Sequence, residues 1–283
     1  MSYRPNRTEA MPPVVKNLLI INALVFIATI ILADHNQFIT DTFALHHWNA
    51  SQFKIWQPLT HLFMHGGNVK NVEESFMHLF SNMFALWMFG TILENYMGSK
   101  RFLMFYISCG LGAAFIYMAV LGYDFHCLKQ AILAFDNNPS FKEFTRFLSQ
   151  NHPNPYGAED SLYALKNAWE ANPMETSFSS VAMAQLDSYY EYMISQPCVG
   201  ASGAVFGLLF AFGYLFPNSI IYVFFSIPMK AKYFVALYAA FELYAGFRNS
   251  AGDNIAHTAH IGGMIIAFVI LRLWSKTVKR NLF

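Results

Sequence analysis

Six apolar stretches, near residues 15 to 33, 76 to 93, 102 to 121, 199 to 216, 228 to 247 and 256 to 274, constrain this chain more than any motif does. Each approaches the roughly 20 residues that an α-helix needs to cross the hydrocarbon core of a bilayer. Hydrocarbon offers backbone N–H and C=O groups no partner, so such stretches must be helical and must pack against one another. Composition agrees: 55% of the 283 residues are hydrophobic and only 12% charged, too apolar for an ordinary soluble domain. The reading is an all-α polytopic membrane protein with six spans, whose first partner is the lipid bilayer. A net charge of +1, with no basic patch interleaved with aromatics, argues against a nucleic-acid partner.

Orientation follows from Lys and Arg near the span ends rather than from net charge. With the N-terminus inside, eleven of the eighteen basic residues fall on inside segments, among them Arg4, Arg7, Lys100, Arg101, Lys230 and Lys232, although the outside segments are far longer. Both termini are therefore expected in the cytoplasm, in a multi-pass protein of a bacterial cytoplasmic membrane. Nothing at the N-terminus reads as a cleaved signal or a transit peptide.

Residues 123–197 break the pattern. They carry nine acidic against four basic residues and the turn signals NNP, NHPNPYG and ANP. Between these, FKEFTRFLSQ, EDSLYALKNAWEA and SVAMAQLDSYYEYMISQ keep helical apolar spacing. We expect an extracytoplasmic insertion of about three amphipathic helices between the third and fourth spans of a membrane domain covering 1–283. It serves either as a solvated cover over the mouth of a site or in recognition of a substrate or partner. Cys127 and Cys198 flank it on the outer side, where a disulfide closing the insertion is one possibility.

The fourth span opens with GASGAVFG, which places Ser202 among Gly200, Gly203 and Gly207. Glycines three and four apart strip one helix face so that another backbone can approach. The sixth span, AHTAHIGGMIIAF, sets Ala256, His260, Gly263 and Ala267 within about 60° of one another, a second bare stripe bearing one imidazole. At 1.5 Å per residue, Ser202 lies roughly 5 Å and His260 roughly 6 to 9 Å below the outer surface. The second span, also descending from outside, brings His78 and Asn82 to a similar depth, one turn apart on one face. Polar groups at such depth are costly and tend to face a wet cavity. A Ser hydroxyl needs a base, a neutral imidazole is the usual one, and an Asn amide, a second imidazole and backbone N–H groups can hold an oxyanion. These parts require neither metal nor cofactor.

These motifs resemble those of the rhomboid family of intramembrane serine proteases. The resemblance rests on GASGAVFG, the HLFSN run with His78 and Asn82, the AHIGG run around His260, WMFGTILE at the exit of the second span, and WQPLTHLFMHGG in the preceding outer loop. It implies a six-transmembrane-helix rhomboid-like bundle with Ser202 as nucleophile and His260 as base of a Ser-His dyad. It further implies His78 and Asn82 as the oxyanion-stabilising pair, Phe206 as an aromatic ring on the catalytic imidazole, and transmembrane proteins as substrates. Gly200, Gly203 and Gly263 support that seam. Two departures are Ala267, where the family often has a second Gly, and NVKNVEES before the second span.

Each polar group has a structural alternative: Ser202 as a helix-packing hydroxyl, His78 and Asn82 as an interhelical clamp. His61 with His65, and His257 with His260, tempt a metal reading, but HExxH is absent and no third ligand is evident. The GxSxG elbow of soluble hydrolases fails because Ala204 is the second residue after Ser202. Glu242, near the outer end of the fifth span, is expected to snorkel toward water. A transporter would show paired broken spans or inverted repeats. The remaining competitor is a non-catalytic rhomboid-like protein that binds membrane helices.

Overall fold

In the computed structural model, which describes residues 9–66, 72–151, 160–223, 226–248 and 256–280, the apolar stretches become helices. α1 (Pro13–Ile31) starts on proline, which has no N–H to satisfy. The next two N–H groups, of Val14 and Val15, donate to the carboxylate oxygens of Glu94 at 3.1 and 2.8 Å. Ser99 Oγ donates to the same buried carboxylate at 2.6 Å. The acid at the end of WMFGTILE is thus a cap that locks the start of the first span onto the exit of the second.

The loop after α1 holds two short helices, α2 (Asn36–Phe43) and α3 (Gln57–Thr60). The polar side chains of WQPLT bind this loop together. Trp56 Nε1 donates to the Thr42 carbonyl, Gln57 Nε2 to the Asp41 and Gln52 carbonyls, and Thr60 Oγ1 to the Phe43 carbonyl. Of the NVKNVEES stretch, residues 68–71 lie outside the described residues, and Val72 to Ser75 form the first turn of α4 (Val72–Ala85). One wide turn, Leu86–Gly90, carries α4 into α5 (Thr91–Met97). Gly98, at φ +82°, then reverses the chain in a conformation that glycine adopts without strain.

α6 (Ser99–Asn137) corrects one expectation: the third span does not end near residue 121 but runs unbroken for 39 residues. No proline interrupts it, and Phe125, Leu128, Ile132 and Phe135 continue one apolar face at helical spacing. At 1.5 Å per residue the helix is roughly 58 Å long, about twice the hydrocarbon thickness. Its second half packs with α7 (Phe141–Asn151), α8 (Asp160–Ala171) and α9 (Ser177–Ser195) around a core of their own, centred on Phe135, Phe144, Leu162 and Leu186. The NHPNPYG turn falls mostly outside the described residues. Cys127 and Cys198 are both free, so no disulfide closes this segment; Cys198 instead pairs with Leu45 in an isolated antiparallel bridge.

α10 (Ser202–Leu215) lies at the centre of the other core. Ten of its fourteen residues are buried, so it is covered by protein all round and shows no amphipathic stripe. A hairpin not foreseen in the sequence follows, β1 (Ile220–Val223) antiparallel to β2 (Ile227–Lys230), with Ile220 opposite Lys230. α11 (Ala231–Arg248) and α12 (His257–Arg280) complete the bundle. Among the described residues four helices are long and apolar enough to cross a membrane: Pro13–Ile31, Val72–Met97, Ser99–Asn137 and His257–Ser275. α10 is only 14 residues long, and α11 carries Lys232, Glu242 and Arg248. The outward faces present bare apolar side chains, such as Leu24 and Ile27 on α1, Phe76 and Phe80 on α4, Leu237 on α11 and Phe268 on α12. Such bands suit lipid rather than water.

Candidate active site

Ser202 is the first residue of α10. The cause is Gly200, whose φ of +125° is a backbone conformation incompatible with helix and rarely adopted by residues with a Cβ. The first N–H groups of α10 therefore lack intrahelical acceptors, and the positive end of its dipole lies at the hydroxyl.

The loop between α1 and α4, together with α4 itself, holds this turn in place. Gly200 N–H donates to the His61 carbonyl at 3.0 Å, and Ala201 N–H lies 3.5 Å from His65 Nε2. The His65 ring meets the His78 ring edge-on, with centroids 5.3 Å apart. His78 in turn lies against Gly200: a Cβ added there would stand 2.9 Å from His78 Nε2 and 3.7 Å from Ser202 Oγ. His78 and Ser202 thus converge on one spot that only a glycine leaves open. Asn82, buried one turn below, donates its amide N–H to the His78 carbonyl at 2.9 Å. It reinforces the helix that carries His78, and its second amide N–H remains for another acceptor.

Burial sets the charge of His61 and His65. Desolvation pushes the His61 imidazole down to about 4 against a donated bond to the Gln57 carbonyl, and pushes His65 down to about 3, with the neighbouring His78 adding to it. Both are neutral at pH 7, as supports of the Gly200 turn among apolar groups must be. In the sequence His61 and His65 are a pair four residues apart within WQPLTHLFMHGG. Their structural role was hidden because it runs through a backbone 136 residues away for His65.

His260 comes from α12. Its ring is stacked on Phe206, with centroids 4.0 Å apart and planes 8° from parallel. Phe206 is one turn after Ser202, so the imidazole lies over the first turn of α10. Ser202 Oγ and His260 are not hydrogen-bonded to one another here; such pairs often tighten only around a bound substrate. The seam between the two helices depends on Gly263, where a Cβ would collide with the Gly203 carbonyl; Gly203 itself opens toward α6, where a Cβ would stand 2.6 Å from Ala113 Cβ. Ala267, fully buried, fits the same seam, so a methyl is tolerated there.

Glu242 overturns its expected role. It is 3% exposed, and one carboxylate oxygen, Oε2, lies 2.8 Å from His260 Nδ1 and 2.6 Å from His257 Nδ1. It faces inward from α11 and does not snorkel, because two imidazoles provide the partners that water would otherwise supply. The signal available in the sequence was the acid itself: an ionisable side chain in a span, which by default faces the bundle. The ligand atoms of Glu242, His257 and His260 lie within 4.8 Å of one another.

Comparison with known protein families matches a Rhomboid domain to residues 52–127 and 174–277, and the chain therefore belongs to the rhomboid family. It is also similar to Rhomboid protein 1, mitochondrial, of Saccharomyces cerevisiae, 24% identical over 209 residues, which are 74% of this chain and 41% of that protein. The chain thus spans about two fifths of the length of that curated relative. The matched stretches leave out residues 128–173, most of the region that packs around Phe135, Phe144 and Leu162.

Proposed function

We propose that this protein is an intramembrane serine endopeptidase that cuts transmembrane segments of other proteins. In this reading Ser202 Oγ attacks the scissile carbonyl while His260 takes its proton and later passes it to the leaving amine. The resulting oxyanion is held by the free N–H groups at the start of α10 and by His78, with Asn82 reinforcing the turn that carries it. The observation that carries this reading is the stacking of His260 on Phe206, one turn from Ser202, across a seam bare enough for two helices to touch. Phe206 and His260 are buried, yet Ser202 is only partly buried.

The topology proposed with it has six spans, with α10 and α11 as the fourth and fifth and both termini cytoplasmic. The cluster of α7 to α9 is then an extracytoplasmic insertion over the outer side. A substrate helix hides its peptide bonds in its own hydrogen bonds, so it must unwind locally before attack. Segments with small or helix-destabilising residues near the outer interface are the expected substrates. The test is cleavage of a panel of transmembrane segments by purified wild-type protein and Ser202→Ala, with products mapped by mass spectrometry. Defined cuts by the wild type and none by the variant are expected. Equal cleavage by both would remove Ser202 from the chemistry, and no cleavage by either would favour a protein that binds membrane helices without cutting them.

A further inference from the structure

We infer that Glu242 completes a triad with Ser202 and His260 as a positioning residue that fixes the tautomer and orientation of His260; this rests on the protease reading above. A buried carboxylate is expensive unless its oxygens accept hydrogen bonds. Here one oxygen is met by two ring nitrogens at 2.6 and 2.8 Å, both of them Nδ1. Lone pair against lone pair would repel at that range, so each Nδ1 carries a proton and donates it. For His260 this leaves Nε2 as the basic nitrogen, the atom needed to receive a proton from Ser202.

The geometry does more than choose a tautomer. His257 and His260 are three residues apart on one face of α12, and together they clamp Oε2 from the same helix. The carboxylate is thereby held on the opposite edge of the ring from Nε2, while Phe206 holds its face. In the attack step the Ser202 Oγ–carbon bond forms, the carbonyl π electrons move to oxygen, and the Ser202 proton passes to His260 Nε2. The Nδ1 proton stays on His260 and Glu242 stays ionised. The imidazolium so formed is created 2.8 Å from a negative charge already in place. Collapse of the tetrahedral species then returns the Nε2 proton to the leaving amine.

A structural tie between α11 and α12 would require only that the carboxylate be paired. A metal site would need more room: two ligands at 2.0 to 2.1 Å from a tetrahedral zinc stand roughly 3.3 Å apart. The spacings to Oε2 are instead hydrogen-bond lengths.

The test uses the full-length protein with wild type, Glu242→Gln, Glu242→Asp and Ser202→Ala. With a cleaved transmembrane segment as substrate, Glu242→Gln is expected to lower kcat by about 10²- to 10⁴-fold with KM little changed, the upper bound being the loss seen when a soluble triad acid becomes its amide. Glu242→Asp, which keeps the charge, should recover part of that loss. A Glu242→Gln protein that folds and turns over within threefold of wild type would overturn the inference. Should Glu242→Gln fail to fold, histidine ¹⁵N spectroscopy of the wild type decides: His260 protonated at Nδ1 and bare at Nε2 supports the inference, and the opposite tautomer or a stoichiometric bound metal overturns it. Absence of any wild-type cleavage would refute the protease reading while leaving the tautomer measurement to stand on its own.

Discussion

Gly207→Ala probes the packing on which the candidate site depends. A Cβ at Gly207 would stand 2.7 Å from Cys109 Cβ and 2.8 Å from its Sγ, with the Gly263 carbonyl oxygen at 3.2 Å. Carbon atoms in comfortable contact stand about 3.5 to 4.0 Å apart, so α10 must retreat from α6 by roughly 1 Å. Cys109 Cβ is fixed to its backbone and cannot turn away. Overpacking of this kind costs about 1 to 3 kcal/mol. Activity should suffer more than stability, because a misplacement of about 1 Å at the reacting groups is worth about 10²-fold in rate. The assay is a double-mutant cycle in detergent, reading thermal midpoint and kcat for Gly207→Ala, Cys109→Gly and the pair. Cys109→Gly removes both clashing atoms, so the pair should regain most of the activity lost by Gly207→Ala. Wild-type behaviour of Gly207→Ala, or no recovery in the pair, would refute the close α6–α10 approach.

Three further outcomes follow from particular contacts. Glu94→Ala strands two N–H groups of α1 and the Ser99 hydroxyl, so the folded state should lose about 3 kcal/mol in denaturant titration; a loss below about 0.5 kcal/mol would deny the cap. Burial holds His61 at about 4 in the folded state against 6.5 when unfolded, so the unfolded chain binds the proton first and stability falls as pH drops from 6.5 toward 4. That window is worth about 3 kcal/mol for His61 alone, His65 adds to it in the same direction down to about 3, and unfolding free energy independent of pH between 6.5 and 4 would contradict it. Phe206→Leu removes the ring stacked on His260, a contact of about 0.5 to 1.5 kcal/mol, and should lower kcat up to about tenfold while the protein stays folded.

Much of the helical layout was legible because lipid imposes it. The apolar stretches near 15 to 33, 76 to 93, 102 to 121 and 256 to 274 coincide with α1, α4 to α5, the first half of α6, and α12. The three amphipathic segments of 123–197 became α7, α8 and α9. Turn signals marked where α6 ends, but nothing marked residue 121 as a stop, since Phe125 to Phe135 continue the same face in a different setting. The start of α10 depended on the φ of Gly200, and a glycine's name does not reveal its conformation. Helical spacing sets His78 and Asn82 one turn apart on α4 and Phe206 one turn after Ser202 on α10, because residues per turn are fixed. The Glu242 contacts join α11 to α12, and periodicity within one helix says nothing about which neighbour a side chain meets. His61 and His65 were opaque for the same reason: their partners are backbone atoms of a distant turn.

The most direct measurement is covalent labelling of the purified wild-type protein by a fluorophosphonate, with the modified residue located by mass spectrometry and with His260→Ala in parallel. Modification at Ser202 alone, abolished in the folded His260→Ala variant, is the expected result. A folded wild-type protein left unmodified at Ser202, or modified equally when His260 is gone, would contradict a serine activated by that imidazole.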